Sequence, residues 1–473
     1  MDHPIADDFR SDPRVRSGVR VLLEALAEHQ AKLNGVRPPR SSLQVTYEQA
    51  LEAFSEARGG KLYYPYLGSG LGRGALVELA DGSVKYDFIG GIGVHYFGHS
   101  HPDLVRAALH AALQDTLMQG NLQQNAESIG VAQTLLGLAR AHGAPLAHCF
   151  LTSSGAMANE NALKMIFHRQ SPARRVLAFR GCFCGRTMAL ASITDKPAYR
   201  AGLPRALSVD YVPFFDARHP QQSTTKAVDM LKRHLNRHPS RHALMVMELV
   251  LGEGGYYPGD HEFFIALMDV LRDAGVPVLI DEIQTFGRTT APFAFQHFGL
   301  DERVQIVTVG KMTQLCATLF AADFKPPPGL VSQTFTASTS AIFAAAAILD
   351  RLSQCDLFGP EGRVAQLSNH FVKRLEAAAA RHPRWLKGPF GFGAMIAFTP
   401  LDGKPATIKK LLHALFDAGV IAFVAGTKPA RIRFLPPMGA LTETDIDAVC
   451  EIVEKTLGEF QSSAAPFVKI SED

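Results

Sequence analysis

The sequence predicts an α/β protein: a large domain with a mainly parallel sheet covered by helices, joined to a smaller α+β domain built from both chain ends. Three observations lead there. The chain has 473 residues, beyond the size at which single cores stop growing, so two domains are expected. From about residue 103 onward, helical patterns alternate with short apolar runs, the arrangement of parallel strands joined by helices. Before that alternation stands a hairpin signal, and after it, from about residue 341, comes a mixed stretch of helix and strand.

The elements follow in order. Val19, Leu22, Leu23 and Leu26 recur at helical spacing, and Pro38-Pro39 breaks the pattern. A second helix over Tyr47 to Ala57 stops at Gly59-Gly60. Residues 1–60 therefore read as a helical N-terminal extension. Ala75-Leu-Val-Glu-Leu79, Asp81-Gly82 and Val84-Lys-Tyr-Asp-Phe88 form a hairpin pattern. The clearest later strands are Arg175 to Phe179, Ala243 to Val250, Val276 to Ile280 and Val304 to Val309. A helix over Ala341 to Arg351 leads into the last stretch, which ends in a helix near Asp445 to Phe460. The expected division is 61–102 with 341–473 as the small domain, and 103–340 as the large one.

Composition narrows the function classes. The net charge of +3 is small for this length, so neither nucleic acid nor an anionic membrane is an expected partner. No apolar stretch reaches the roughly 18–20 residues of a membrane span. The N-terminus opens with acidic residues, including Asp7 and Asp8, instead of a basic-then-apolar leader. Six cysteines without framework spacing read as reduced thiols in a cytoplasmic protein. Cys182 and Cys184 are close, but lack the second pair or histidines of a zinc site, so no metal is expected.

Ligands of doubly wound sheets bind beyond the carboxyl ends of the strands. Four polar elements fall at such ends: Ser153-Ser154-Gly155-Ala156, Glu248 to Gly255, Asp281-Glu-Ile-Gln284, and Gly310-Lys311. Each alone has a bland reading, as a surface lysine or a helix cap. Together they match the needs of pyridoxal 5'-phosphate. That cofactor needs a lysine amine to form a Schiff base, for which Lys311 is the candidate. A carboxylate such as Asp281 must keep the pyridine nitrogen protonated, because the charged ring is the electron sink. A Ser-Gly-Ala turn opening a helix offers backbone N–H groups and a favourable dipole to the phosphate. Phe183 supplies a flat side chain for the ring.

The same residues carry a family resemblance running from roughly residue 60 to 460. Its parts are Gly90-Gly-Ile-Gly with Gly98-His-Ser-His-Pro102, and Ser154-Gly-Ala-Met-Ala-Asn-Glu-Asn-Ala-Leu-Lys164. Phe183-Cys-Gly-Arg-Thr187, Gly252-Glu-Gly-Gly255 and Asp281-Glu-Ile-Gln-Thr285 follow, then Gly310-Lys311 and Arg431-Ile-Arg-Phe-Leu-Pro-Pro437. The chain resembles the class III aminotransferases of fold type I, the group holding ornithine, 4-aminobutyrate, acetylornithine and lysine ω-aminotransferases. The resemblance implies that Lys311 is the Schiff-base lysine and proton shuttle and that Asp281 pairs with the pyridinium nitrogen. It gives Gln284 the phenolic oxygen, Phe183 and Ile283 the two ring faces, and Ser154, Gly155 and Ala156 the phosphate. Thr334 matches a threonine that reaches the phosphate from the neighbouring subunit, which implies a homodimer with shared active sites.

For substrates, the resemblance makes Arg186 the grip on the carboxylate remote from the reacting amine. Arg433 takes the α-carboxylate of glutamate or 2-oxoglutarate, and Glu253 masks Arg433 while an ω-amino donor is bound. Arginine suits both jobs through its bidentate fork. The implied reaction moves an ω-amino group from a diamino acid, ω-amino acid or diamine to 2-oxoglutarate, giving glutamate. An amino-acid racemase or mutase of the same fold, or a catalytically silent paralogue, is the alternative. His99 and His101 are expected to be structural, and Tyr63, Tyr64 and Tyr66 fall where the family places a substrate-contacting segment. Departures from the family pattern include Cys184 in place of histidine or an aromatic residue, Met157, Leu251, Met312-Thr-Gln-Leu315 and Thr336-Ala-Ser-Thr339. They spare the cofactor residues and leave the donor open.

Overall fold

The computed structural model describes residues 4–115, 120, 122–354 and 356–464. Its centre is a seven-stranded sheet in the order Leu146–Thr152, Cys316–Ala321, Ile306–Val309, Val278–Glu282, His242–Met247, Arg175–Phe179, Ser208–Val212. The last five of these run parallel to one another, and Cys316–Ala321 is antiparallel to both of its partners. His242–Met247, Val278–Glu282 and Ile306–Val309 are buried along their whole length, as expected of parallel strands covered on both faces. Because adjacent strands point the same way, the loops after residues 179, 247, 282 and 309 emerge at one edge. That shared edge positions the site.

The N-terminal segment forms three helices, Ile5–Ser11, Pro13–Gln30 and Ser41–Arg58. Asp12 caps the second, its carboxylate accepting from Arg14 N–H at 2.8 Å, and Gly59 ends the third in the left-handed conformation at φ 76°. The hairpin signal appears as Leu76–Leu79 and Val84–Asp87, turned at Gly82. Val84–Asp87 also pairs in parallel with Val420–Ile421, so this four-stranded sheet draws on both halves of the chain. Another four-stranded sheet contains Leu386–Phe392, Met395–Pro400, Arg431–Phe434 and Phe423–Ala425.

Several boundaries differ from the sequence expectation. The strand beginning at Ala243 stops at Met247, and Val250–Leu251 instead pairs with Tyr257–Pro258. The strand expected from Val276 begins at Val278, since Pro277 has no N–H for the ladder, and it continues through Asp281 to Glu282. The Cys316–Ala321 strand has no counterpart among the expected elements: it holds neither valine nor isoleucine, so its local β signal is weak.

Candidate active site

A cavity of about 350 Å³ opens where the sheet loops converge, lined among others by Gly155, Phe183, Arg186, Glu253, Asp281, Ile283, Gln284 and Lys311. Of the lysines among the described residues, only Lys311 lines it. Lys311 follows Ile306–Val309 and adopts φ 54°, an uncommon left-handed conformation for a residue with a side chain. Burial pulls its ammonium down to about 8, against the opposing pull of Glu253 and Asp281.

Asp281 stands at the end of Val278–Glu282 and is buried. One carboxylate oxygen accepts from Ile283 N–H at 3.0 Å and the other from the Asn159 amide at 2.8 Å. Burial raises its pKa, with those two hydrogen bonds working the other way. Asn159 is itself fixed: its amide also donates to Cys184 carbonyl at 2.8 Å, and its oxygen accepts from the Thr308 hydroxyl at 2.7 Å. Asn159 therefore ties three elements to one carboxylate. Both hydrogen bonds to Asp281 come from neutral groups, which leaves it suited to a cationic partner in the cavity.

Ser154 caps the helix Gly155–Arg169, its hydroxyl accepting from Met157 N–H at 3.2 Å. A Cβ on Gly155 would lie 2.9 Å from Cγ2 of Ile283, so only glycine lets the helix start and the Ile283 loop approach this closely. Ala156 lines the cavity beside it. Phe183 donates its N–H to Glu248 at 2.7 Å and meets Tyr199 edge-on, ring centroids 6.3 Å apart. Glu248 also accepts from Gly252 N–H at 3.2 Å, and burial, helped by Asp281, pushes its carboxyl up to about 8.

Arg433, on Arg431–Phe434, is fully buried, 0% exposed, and forms a short ion pair with Glu253. Its guanidinium also donates to Gln284 at 3.4 Å and lies between the rings of Phe423 and Tyr256, 5.6 and 5.7 Å from their centroids. Burial works against the Glu253 charge, but Arg433, Lys196 and Lys311 hold its carboxyl below the usual range. Arg186 is exposed at the cavity rim with its guanidinium 4.2 Å from the Tyr199 ring.

Thr334 is exposed and does not line this cavity; neighbouring Phe335 is exposed as well. His99 is buried with Nε2 2.9 Å from Asp87, and His101 caps the helix Pro102–Ala112, both structural placements. Of the three tyrosines, Tyr64 is buried and donates to the Ala422 carbonyl, while Tyr63 packs against Phe423, the ring beside Arg433. Sequence reasoning assigned no role to Asn159, Glu248, Lys196 or Tyr199. Asn159 lies inside the motif that Ser154 opens, and Glu248 leads into Gly252-Glu-Gly-Gly255, so motif context could have singled out both. Cys184 lines the cavity, and its thiol is pushed well up by a hydrogen bond with Cys182 and by burial.

The residues fit a phosphorylated pyridine aldehyde. Phe183 and Ile283 line the same cavity as an amine and a buried carboxylate, and the glycine that opens the helix Gly155–Arg169 lines it too. The family model for class-III aminotransferases matches residues 68–457. The acetylornithine aminotransferase of Archaeoglobus fulgidus is 30% identical over 392 residues, covering 81% of this chain and 93% of that one. The L-lysine-epsilon aminotransferase of Mycobacterium bovis is 29% identical, covering 81% and 89%. The structure of lysine aminotransferase from M. tuberculosis in its internal aldimine form superposes with a TM-score of 0.74 at 25% identity, covering 82% of this chain and 93% of that one. The chain belongs to the class III aminotransferases, enzymes that work with pyridoxal phosphate in a mixed α/β fold.

Proposed function

We propose that this enzyme moves an ω-amino group from a diamino acid, ω-amino acid or diamine to 2-oxoglutarate, giving glutamate. The observation that carries the reading is the ion pair between the fully buried Arg433 and Glu253, which lines the cavity. Glu253 neutralises Arg433 while a donor with no α-carboxylate at the reacting end occupies the site. When glutamate or 2-oxoglutarate enters, its α-carboxylate takes the arginine fork and Glu253 moves aside. The exposed Arg186 takes the remote carboxylate of glutamate or 2-oxoglutarate, and of a donor that carries one. Relatives acting on acetylornithine and lysine support an ω-amino donor, and their transaminase activity favours transfer over racemisation, mutation or a silent role.

Lys311 would hold the cofactor through Nζ, Asp281 the ring nitrogen, and Ser154, Gly155 and Ala156 the phosphate; Phe183 and Ile283 would flank the ring and Gln284 its phenolic oxygen. When bound, pyridoxal phosphate supplies an electron sink for the pair left as a proton leaves the carbon bearing the amine. Lys311, whose ammonium burial pulls down to about 8, would take that proton and return it two atoms along, on the far side of the nitrogen. Asp281, held by Asn159 and Ile283 N–H, keeps the ring nitrogen protonated. Thr334, exposed away from its own cavity, reaches the phosphate of a second copy, making the enzyme a homodimer with shared sites. Unbridged Cys182 and Cys184 suit a reducing, cytoplasmic setting.

A donor panel of lysine, ornithine, 4-aminobutyrate, putrescine and acetylornithine with 2-oxoglutarate, read as glutamate formed, tests the substrate class. Turnover with at least one of them is expected. Turnover only with α-amino acids lacking an ω-amine would refute the reading.

A further inference from the structure

Glu253 faces two cations. Its Oε1 accepts from the Arg433 guanidinium, while its Oε2 lies 3.7 Å from Nζ of Lys196. Lys196 sits between the helix Met188–Ile193 and the short turn Pro197–Arg200, outside the strands that build the site. Its side chain is 17% exposed, and its ammonium lies 5.4 Å from the centroid of Tyr199, the ring that also carries Arg186. A separation of 3.7 Å is within ion-pair range but too long for a good hydrogen bond. One carboxylate therefore grips one cation tightly and a second loosely, on different oxygens.

We infer that Lys196 takes over Glu253 when a substrate carboxylate occupies Arg433. This rests on the switch reading of the Glu253–Arg433 pair and adds the place where Glu253 goes. A carboxylate released from its arginine in so enclosed a setting is strongly disfavoured unless another charge receives it. Lys196 needs to close only about 1 Å to reach the usual length of a charge-assisted hydrogen bond. Lysine is well matched to receiving a carboxylate that moves, because its ammonium has three rotatable donors on a flexible stem. The planar fork of Arg433 instead suits a carboxylate that arrives in one orientation. Lys196 reaches Glu253 and not the cavity lining, and the role assigned to it is exerted through Glu253, as a positioning residue.

The test uses the holoenzyme and single-turnover kinetics of each half-reaction in Lys196→Met, Lys196→Arg, Arg433→Ala, Glu253→Ala and the Glu253→Ala/Lys196→Met double variant. Lys196→Met is expected to weaken saturation by glutamate and 2-oxoglutarate about tenfold, with the limiting rate and the donor half-reaction nearly unchanged. Lys196→Arg should restore most of that loss, and in the Glu253→Ala background Lys196→Met should add nothing. Equal losses in both halves, no rescue by arginine, or a further loss in the double variant would each overturn the inference. If Arg433→Ala harms both halves alike, the switch reading itself fails and the role of Lys196 falls with it. A selective Arg433→Ala beside an unselective Lys196→Met sinks the Lys196 role alone.

Discussion

Lys311 combines an amine, a left-handed backbone and a burial that disfavours its charge. Its proton is lost near pH 8 instead of above 10. Only the neutral amine attacks an aldehyde, so uptake of pyridoxal phosphate by the apoenzyme should rise with pH and level off above about 8. Rates of cofactor uptake in stopped flow across roughly pH 6–10.5 check this; a profile still rising at the upper end would mean the amine is unperturbed. The sign for stability follows from the same shift. Between about 8 and the ordinary lysine value the unfolded chain binds the extra proton, so raising pH across that window favours the folded apoenzyme. At this scale much was legible in the sequence: Gly155, Phe183, Asp281, Ile283, Gln284 and Lys311 stood in four separate motifs and line one cavity. What escaped were roles set by partners far along the chain. Asn159 matters because it holds Asp281, 122 positions away, and Glu248 because it receives the Phe183 N–H, 65 positions earlier. No local pattern announces such a pairing.

At the scale of elements, the site depends on how closely the start of the helix Gly155–Arg169 approaches the loop after Val278–Glu282. Gly155→Ala puts a methyl group 2.9 Å from Ile283 Cγ2, closer than real side chains pack, and Ile283 has to yield. Overpacking of this kind costs about 1–3 kcal/mol. Gly155→Ala is therefore expected to lower the melting temperature and weaken pyridoxal phosphate binding, and the Gly155→Ala/Ile283→Ala double variant to recover part of the binding. Calorimetry with cofactor titration reads both, and an additive double variant would mean that the two residues do not press on each other. The parallel strands at the heart of this arrangement were visible as apolar runs, because burial on both faces leaves little room for polar residues. Their ends were less visible. The expected strand from Val304 begins at Ile306, and the antiparallel Cys316–Ala321, which joins Leu146–Thr152 to the rest of the sheet, was missed for want of β-branched aliphatic residues.

Across the whole molecule, the site gathers residues from sheets distant in sequence, and by our reading from two chains. Thr334→Asp and Lys311→Ala should each inactivate the homodimer. If Thr334 serves its partner's site, hybrids of the two hold one doubly damaged site and one intact site, so random mixing should restore about a quarter of normal activity. No recovery after coexpression would place Thr334 outside the shared site. Val84–Asp87 pairs in parallel with Val420–Ile421 from the other half of the chain. The same long-range assembly brings Arg433, from a C-terminal strand, onto Glu253, from the short helix Gly252–Gly255, 180 positions apart. That pair is the basis for assigning an ω-amino donor, and rapid-mixing rates for the two half-reactions of Arg433→Ala test it most directly. Losing the arginine should slow reaction with glutamate or 2-oxoglutarate by about a hundredfold or more while changing the donor half-reaction by less than about tenfold. Equal slowing of both halves would show that the pair only holds the fold together, and would contradict the switch.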